Sequence, residues 1–133
     1  MTSIYYAHPV DYATGLYEQL YKEVEEQLVN AGAVVYTPAR AWQHDGTPRP
    51  GLQRGNLAVL GVSDGMVAVW PSSQVSVGVP IEILMALQSG RRVALITDFK
   101  DSWVLSYLVE SSANHLSLFT IEETSEAVKW IMA

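Results

Sequence analysis

The chain contains no cysteine, so neither a disulfide nor a thiolate-bound metal can hold it together. Its three histidines, His8, His44 and His115, lack the spacing of zinc ligands. No glycine-rich dinucleotide fingerprint follows the first apolar stretch, which argues against a nicotinamide cofactor, and no cofactor is expected. Charge is sparse, at 17% of residues, and leans acidic to a formal net charge of −6. That balance disfavours a nucleic-acid polymer or an anionic membrane surface as partner. No apolar run reaches the ~18 residues of a membrane span, and no charged-then-apolar leader opens the sequence. A cytoplasmic protein is the expectation. Internal repeats and low-complexity tracts are absent as well.

What is present is a folding composition. Hydrophobic residues make up 49% of a 133-residue chain, enough for a real core, and a single domain over 1–133 is expected. Ser3–Ala7 reads as a short buried strand halted by His8-Pro9. Leu16, Leu20, Val24 and Leu28 recur every four residues beside Tyr17 and Tyr21, one face of a helix that Gly32 stops. Residues 33–37 form a second strand, and 52–63 a helix with Leu57 and Leu60 inward. Residues 66–70, 92–97 and 115–119 make three more strands, and a helix between the first two of these ends at Gly90. The nearly all-apolar 103–109 segment reads as a helix buried on more than one side. Thr120-Ile121-Glu122-Glu123 has capping-box spacing for a last helix through Ile131. Strands alternating with helices at this rhythm predict an α/β three-layer sandwich with a five-stranded, mostly parallel sheet, flavodoxin- or Rossmann-like. Ligands of such sheets bind beyond the carboxyl ends of the strands.

Chemistry concentrates in Ser76-Val77-Gly78-Val79-Pro80-Ile81-Glu82. Pro80 suits the first helical position, where its missing N–H costs nothing. Glu82 then falls in the first turn, where helix amides and the dipole hold a carboxylate ionised. Ser76 and Gly78, just before, offer a hydroxyl and an unencumbered N–H to an anionic ligand. Glu82 is either a nucleophilic carboxylate or a plain complement to the helix dipole, and local sequence permits both. The 38–51 segment has three prolines, two glycines, Arg40, Trp42, His44, Asp45 and Arg49, with no clear period. A loop this long in a compact domain is usually functional or disordered. Three of the eight basic residues, Arg40, Arg49 and Arg54, gather in this region.

Four pieces in order carry a resemblance: Ile4-Tyr5-Tyr6-Ala7-His8-Pro9, Val62-Ser63-Asp64-Gly65-Met66-Val67-Ala68-Val69, the Ser76–Glu82 stretch, and Glu110-Ser111-Ser112-Ala113-Asn114. Together they resemble the nucleoside 2-deoxyribosyltransferase superfamily, closest in pattern to its nucleoside 5′-monophosphate N-glycosidase branch. The resemblance implies that Glu82 attacks the anomeric carbon of a nucleoside and that Tyr5 orients it, in two-step retaining chemistry. Serine at position 76 resembles the monophosphate hydrolases, whereas the base-exchanging transferases tend to carry aspartate there. A hydroxyl and helix amides accept a phosphate dianion that an aspartate would repel. Where the family usually has a second aspartate, this chain has Asn56, which hydrogen-bonds but cannot transfer a proton. Pro9 replaces a phosphate-binding serine of the hydrolases.

The resemblance further implies a homodimer or larger homo-oligomer, with Ser112 or Asn114 reaching a neighbour's site and the 103–109 helix at the interface. That helix fits burial within its own subunit equally well. Arg40, Trp42 and Asp45 join Ser76, Gly78 and Asn56 as expected substrate contacts. Asp64 is expected to close a turn, and His8 and His115 to be ordinary polar residues. The leading functional expectation is cleavage of a nucleoside 5′-monophosphate at its N-glycosidic bond. The alternatives are base exchange between free nucleosides, and a catalytically silent nucleotide-sensing module.

Overall fold

Every residue of Gly65–Trp70 is buried, and a strand hidden on both faces requires a helical layer on each. The computed structural model, which describes residues 2–10, 15–38, 51–74, 76–99, 103–110 and 114–133, has those layers. Its elements are β1 (Ser3–Ala7), α1 (Glu18–Asn30), β2 (Val34–Tyr36), α2 (Leu52–Val62), β3 (Gly65–Trp70), α3 (Gly78–Gln88), β4 (Arg92–Thr97), α4 (Trp103–Glu110), β5 (Leu116–Phe119) and α5 (Thr124–Met132). The sheet runs β2-β1-β3-β4-β5 and every adjacent pair is parallel. This is the expected three-layer α/β sandwich, in flavodoxin-like strand order. The order reverses between β1 and β3, and such a switch point opens a crevice for ligands.

Strand alternation divides the core. Ile4, Tyr6, Val67, Val69, Ala94 and Ile96 face α1 and α5. Tyr5, Ala7, Met66, Ala68, Val93 and Leu95 face α2, α3 and α4. Ile83, wholly buried on α3, anchors the second cluster, and truncating such a side chain to alanine costs about 2–5 kcal/mol. Two helices end as glycine at the following position dictates. After α1, Gly32 at φ 93° donates to Val29 O and Ala33 donates to Leu28 O. After α3, Gly90 at φ 74° donates to Leu87 O and Arg91 donates to Ala86 O. Both are the paired bonds of a left-handed cap.

Four expectations change. Leu16 precedes α1 and is 67% exposed; the inward face is Tyr21, Val24 and Leu28, with Tyr17 partly covered. Leu57 is 40% exposed, because α2 turns Asn56 and Leu60 inward instead. Among the described side chains of α4, Leu108 is buried and Leu105 partly so, while Tyr107 and Val109 are exposed, so this part of the helix is one-sided within its own chain. The Thr120 N–H bonds Glu123 Oε1 at 2.9 Å, yet α5 starts at Thr124 with Glu123 as its cap. That reciprocal pair closes the turn before the helix rather than its first turn. As expected, Asp64 is structural: its carboxylate accepts from Ser3 N (2.7 Å) and Ser3 Oγ (3.1 Å), tying the start of β3 to β1. Those bonds hold the Asp64 carboxyl below its ordinary value.

Candidate active site

The segment from β3 to α3 is braced on several sides. Trp70 Nε1 donates to Gln74 O (3.1 Å), and the Trp70 ring meets Phe99 edge-on at 4.8 Å. Ser72 N–H donates to Asp98 Oδ1 at 2.6 Å, and Tyr17 and Ser73 share a hydroxyl contact of 2.8 Å. The helix after it begins earlier than the sequence predicts. Ser76 Oγ accepts the Val79 N–H at 3.2 Å from one residue before the N-cap, Val77, which itself makes no side-chain cap bond. Helical geometry then starts at Gly78, with Pro80 third and no acidic residue in the first turn. Proline is tolerated there because the first four N–H groups have no intrahelical partner. Glu82 stands two residues further in than expected, past the first turn.

Glu82 is half-buried, and loss of hydration pushes its carboxyl from 4.5 up to about 7, against a smaller downward pull from the Tyr5 hydrogen bond. Burial thus opposes the ionised form that a first-turn position was expected to favour. Tyr5, fully buried on β1, donates its hydroxyl to Glu82 Oε2. Burial first, and the Glu82 charge second, raise the Tyr5 phenol far above its ordinary value, so it stays a donor. The other oxygen, Oε1, faces Gly78, where a Cβ would stand 3.6 Å away.

Tyr36 is the residue that sequence reading passed over. It pairs in register with Tyr5, so the two rings leave the same sheet face and lie 5.6 Å apart. Its hydroxyl donates to Asn56 Oδ1 at 2.7 Å. Burial, and then the Glu82 charge, raise its phenol as well. The signal was a tyrosine at the carboxyl end of the neighbouring strand, in the same parity as Tyr5. Asn56 is buried at 9% exposure, beneath this ring pair. Tyr5, Glu82, Tyr36 and Asn56 thus gather on one face at the switch point.

The remaining predicted residues fare differently. Arg40, Trp42, Asp45 and Ser112 lie outside the described residues. Asn114 is described, with φ 73°, a left-handed conformation that asparagine tolerates. It precedes β5 at the amino edge of the sheet, opposite the edge from which α3 starts, so one chain does not bring it to Glu82. Arg54 is exposed on the first turn of α2. His8 is more than punctuation: it is half-buried and stacks on Tyr21 at 4.0 Å and 11°. Burial lowers its pKa, only partly offset by the Pro9 carbonyl 2.8 Å from Nδ1. Among the described residues, no cluster of histidine, cysteine or acidic side chains could hold a metal ion. No helix among them is long and apolar enough to cross a membrane.

No protein-family model and no curated protein sequence matches the chain. Solved structures do. The CMP N-glycosidase of Clostridium botulinum superposes with a TM-score of 0.66 at 14% identity, covering 99% of this chain and 100% of its own. A 2-deoxyribosyltransferase from Bacillus psychrosaccharolyticus gives 0.69 at 15% identity, over 93% of this chain and 90% of its own. That of Leishmania mexicana gives 0.58 at 18%, over 80% and 71%. The chain shares its fold with these three proteins.

Proposed function

We propose that this chain is an enzyme that cleaves the N-glycosidic bond of a nucleoside 5′-monophosphate and releases the free base. The observation that carries the reading is the Tyr5–Glu82 pair, a desolvated carboxylate gripped at one oxygen, with its other oxygen facing Gly78. It lies at the switch point of a fold shared with proteins that act on nucleosides and nucleotides.

In the first step Glu82 Oε1 attacks the anomeric carbon. A carbon–oxygen bond forms while the carbon–nitrogen bond breaks, and the base leaves with the bonding pair and takes a proton from water. Tyr5 keeps its donor on Oε2, which becomes the carbonyl oxygen of the glycosyl ester. Water then attacks the same carbon and gives its proton to the hydroxide left by the first step, Glu82 departs as carboxylate, and the anomeric configuration is retained overall. The 5′-phosphate is placed by the Ser76 hydroxyl proton, which the bond from Val79 leaves free to donate, and by the Gly78 N–H. Base exchange between nucleosides is the second reading, with an incoming base in place of water. A silent nucleotide-sensing module is the third, favoured only by Asn56.

The test is a panel of nucleosides and 5′-monophosphates with released base followed by chromatography. Base release from monophosphates without an acceptor supports the reading. Exchange that requires an added base selects the transferase, and binding without turnover selects the sensor. Glu82→Ala should lower base release by several orders of magnitude, the usual cost of losing a covalent nucleophile. Near wild-type release by that variant would sink the mechanism.

A further inference from the structure

Tyr36 and Asn56 form a polar pair that the Glu82–Tyr5 chemistry leaves unused. Tyr5 is sealed and committed to Glu82, whereas Tyr36 is only half-buried and lies against the same ring. The single proton of the Tyr36 phenol goes to Asn56 Oδ1 at 2.7 Å. Its oxygen therefore presents only lone pairs to anything else that approaches. Asn56 is buried and spends its carbonyl on this bond, which fixes the phenol as an acceptor.

We propose that Tyr36 is the sugar-reading residue of this site: its phenol oxygen accepts a hydrogen bond from the 2′-hydroxyl of a ribose, and Asn56 holds it in that role. The inference rests on the N-glycosidic reading above. With the anomeric carbon at Glu82 Oε1, two substrate features lie nearest the carboxylate. One is the 2′ substituent, a single bond from the reacting carbon. The other is the glycosidic edge of the base, which carries an acceptor, O2 in pyrimidines and N3 in purines. Two acceptors repel each other, while a 2′-hydroxyl supplies the donor that the phenol oxygen lacks. A 2′-deoxyribose would leave that oxygen desolvated and unpaired, which sites built around a hydrogen bond penalise. The substrate class is thereby ribonucleotides. Asn56 acts through Tyr36 and is a positioning residue.

Binding tests this apart from turnover. In the Glu82→Gln protein, the adenosine, cytidine, guanosine and uridine 5′-monophosphates and their 2′-deoxy counterparts are titrated calorimetrically. At least one ribonucleotide should bind more tightly than its deoxy form. Adding Tyr36→Phe should shrink that ratio about three- to tenfold, the effect of one neutral hydrogen bond. Asn56→Leu should shrink it similarly, and Asn56→Asp, which keeps an acceptor for the phenol proton, should preserve it. Equal affinity for the two sugars, or a ratio untouched by Tyr36→Phe, overturns the proposal. Selective binding by a wild type that releases no base would sink the reaction and leave the sugar reading standing. Base release with no sugar preference would do the reverse.

Discussion

The Tyr5 hydroxyl donates to Oε2 of Glu82, 77 residues away in sequence, from a position with no solvent exposure of its own. A strand residue and a helix residue are thus locked across the switch point. The bond works on both partners in opposite senses. It draws the Glu82 carboxyl down, less strongly than burial pushes it up, and Glu82 in turn holds the phenol protonated.

Tyr5→Phe removes the downward pull and leaves the burial. The Glu82 pKa should then rise above its value of about 7. If ionised Glu82 is the nucleophile, kcat/KM of the wild type climbs with pH through that value. In Tyr5→Phe the climb should move to higher pH, so the loss at pH 6 exceeds the loss at pH 9. A profile with an unshifted midpoint would show that Tyr5 does not tune the carboxylate.

The same carboxyl makes stability depend on pH. Its folded value, about 7, lies above its ordinary 4.5, so the native state binds the proton more tightly than the unfolded chain. Its contribution is fully present below about pH 4.5 and is lost as pH rises through about 7. The span corresponds to about 3 kcal/mol as an upper bound, since Glu82 keeps some contact with water. Glu82→Gln cannot ionise and should unfold at higher denaturant than wild type at pH 8, with little difference at pH 4.5. Equal midpoints at both pH values would contradict the desolvated state of Glu82.

These effects mark what the sequence could reveal. Strands betray themselves by apolar runs, so β1 and β4 fall where the pattern places them, and Gly32 and Gly90 end helices as glycine must. Helix phase is harder. Leu57 reads as inward by type, but the α2 face is set by what α3 and the sheet leave open, and Asn56 occupies it. The start of α3 falls two residues before Pro80, and burial, which the sequence alone does not show, raises the Glu82 carboxyl. Glu82 with Tyr5 was legible through a motif; Tyr36 was not, because its role comes from strand register. Register depends on partners far apart in sequence.

Assembly offers a fourth test. Val77 just before α3 and Ile81 on it are exposed, and on the neighbouring α4, Tyr107 is 66% and Val109 47% exposed. This apolar surface, with Asn114 far from its own Glu82, leads us to expect at least a dimer in solution. Light scattering at micromolar concentration should exceed the 14.7 kDa of one chain, and Tyr107→Glu should lower it. A wild-type species of 14.7 kDa alone would refute the expectation.

The last prediction separates hydrolysis of nucleotides from exchange of nucleosides, and it turns on Ser76. Its oxygen accepts the Val79 N–H, leaving the hydroxyl proton for an incoming phosphate. Charge-assisted hydrogen bonds of this kind are worth about 1.5–3 kcal/mol, or roughly tenfold to a hundredfold in specificity. A monophosphate should therefore be preferred over its nucleoside by that factor in kcat/KM. Ser76→Asp is an informative variant because an aspartate carboxylate can accept the same Val79 N–H. What changes is charge: a carboxylate repels the phosphate but accepts a bond from a free 5′-hydroxyl. The preference should reverse toward the nucleoside. If wild type already prefers the nucleoside and Ser76→Asp leaves the ratio unchanged, no phosphate is read at this position, and base exchange becomes the leading activity.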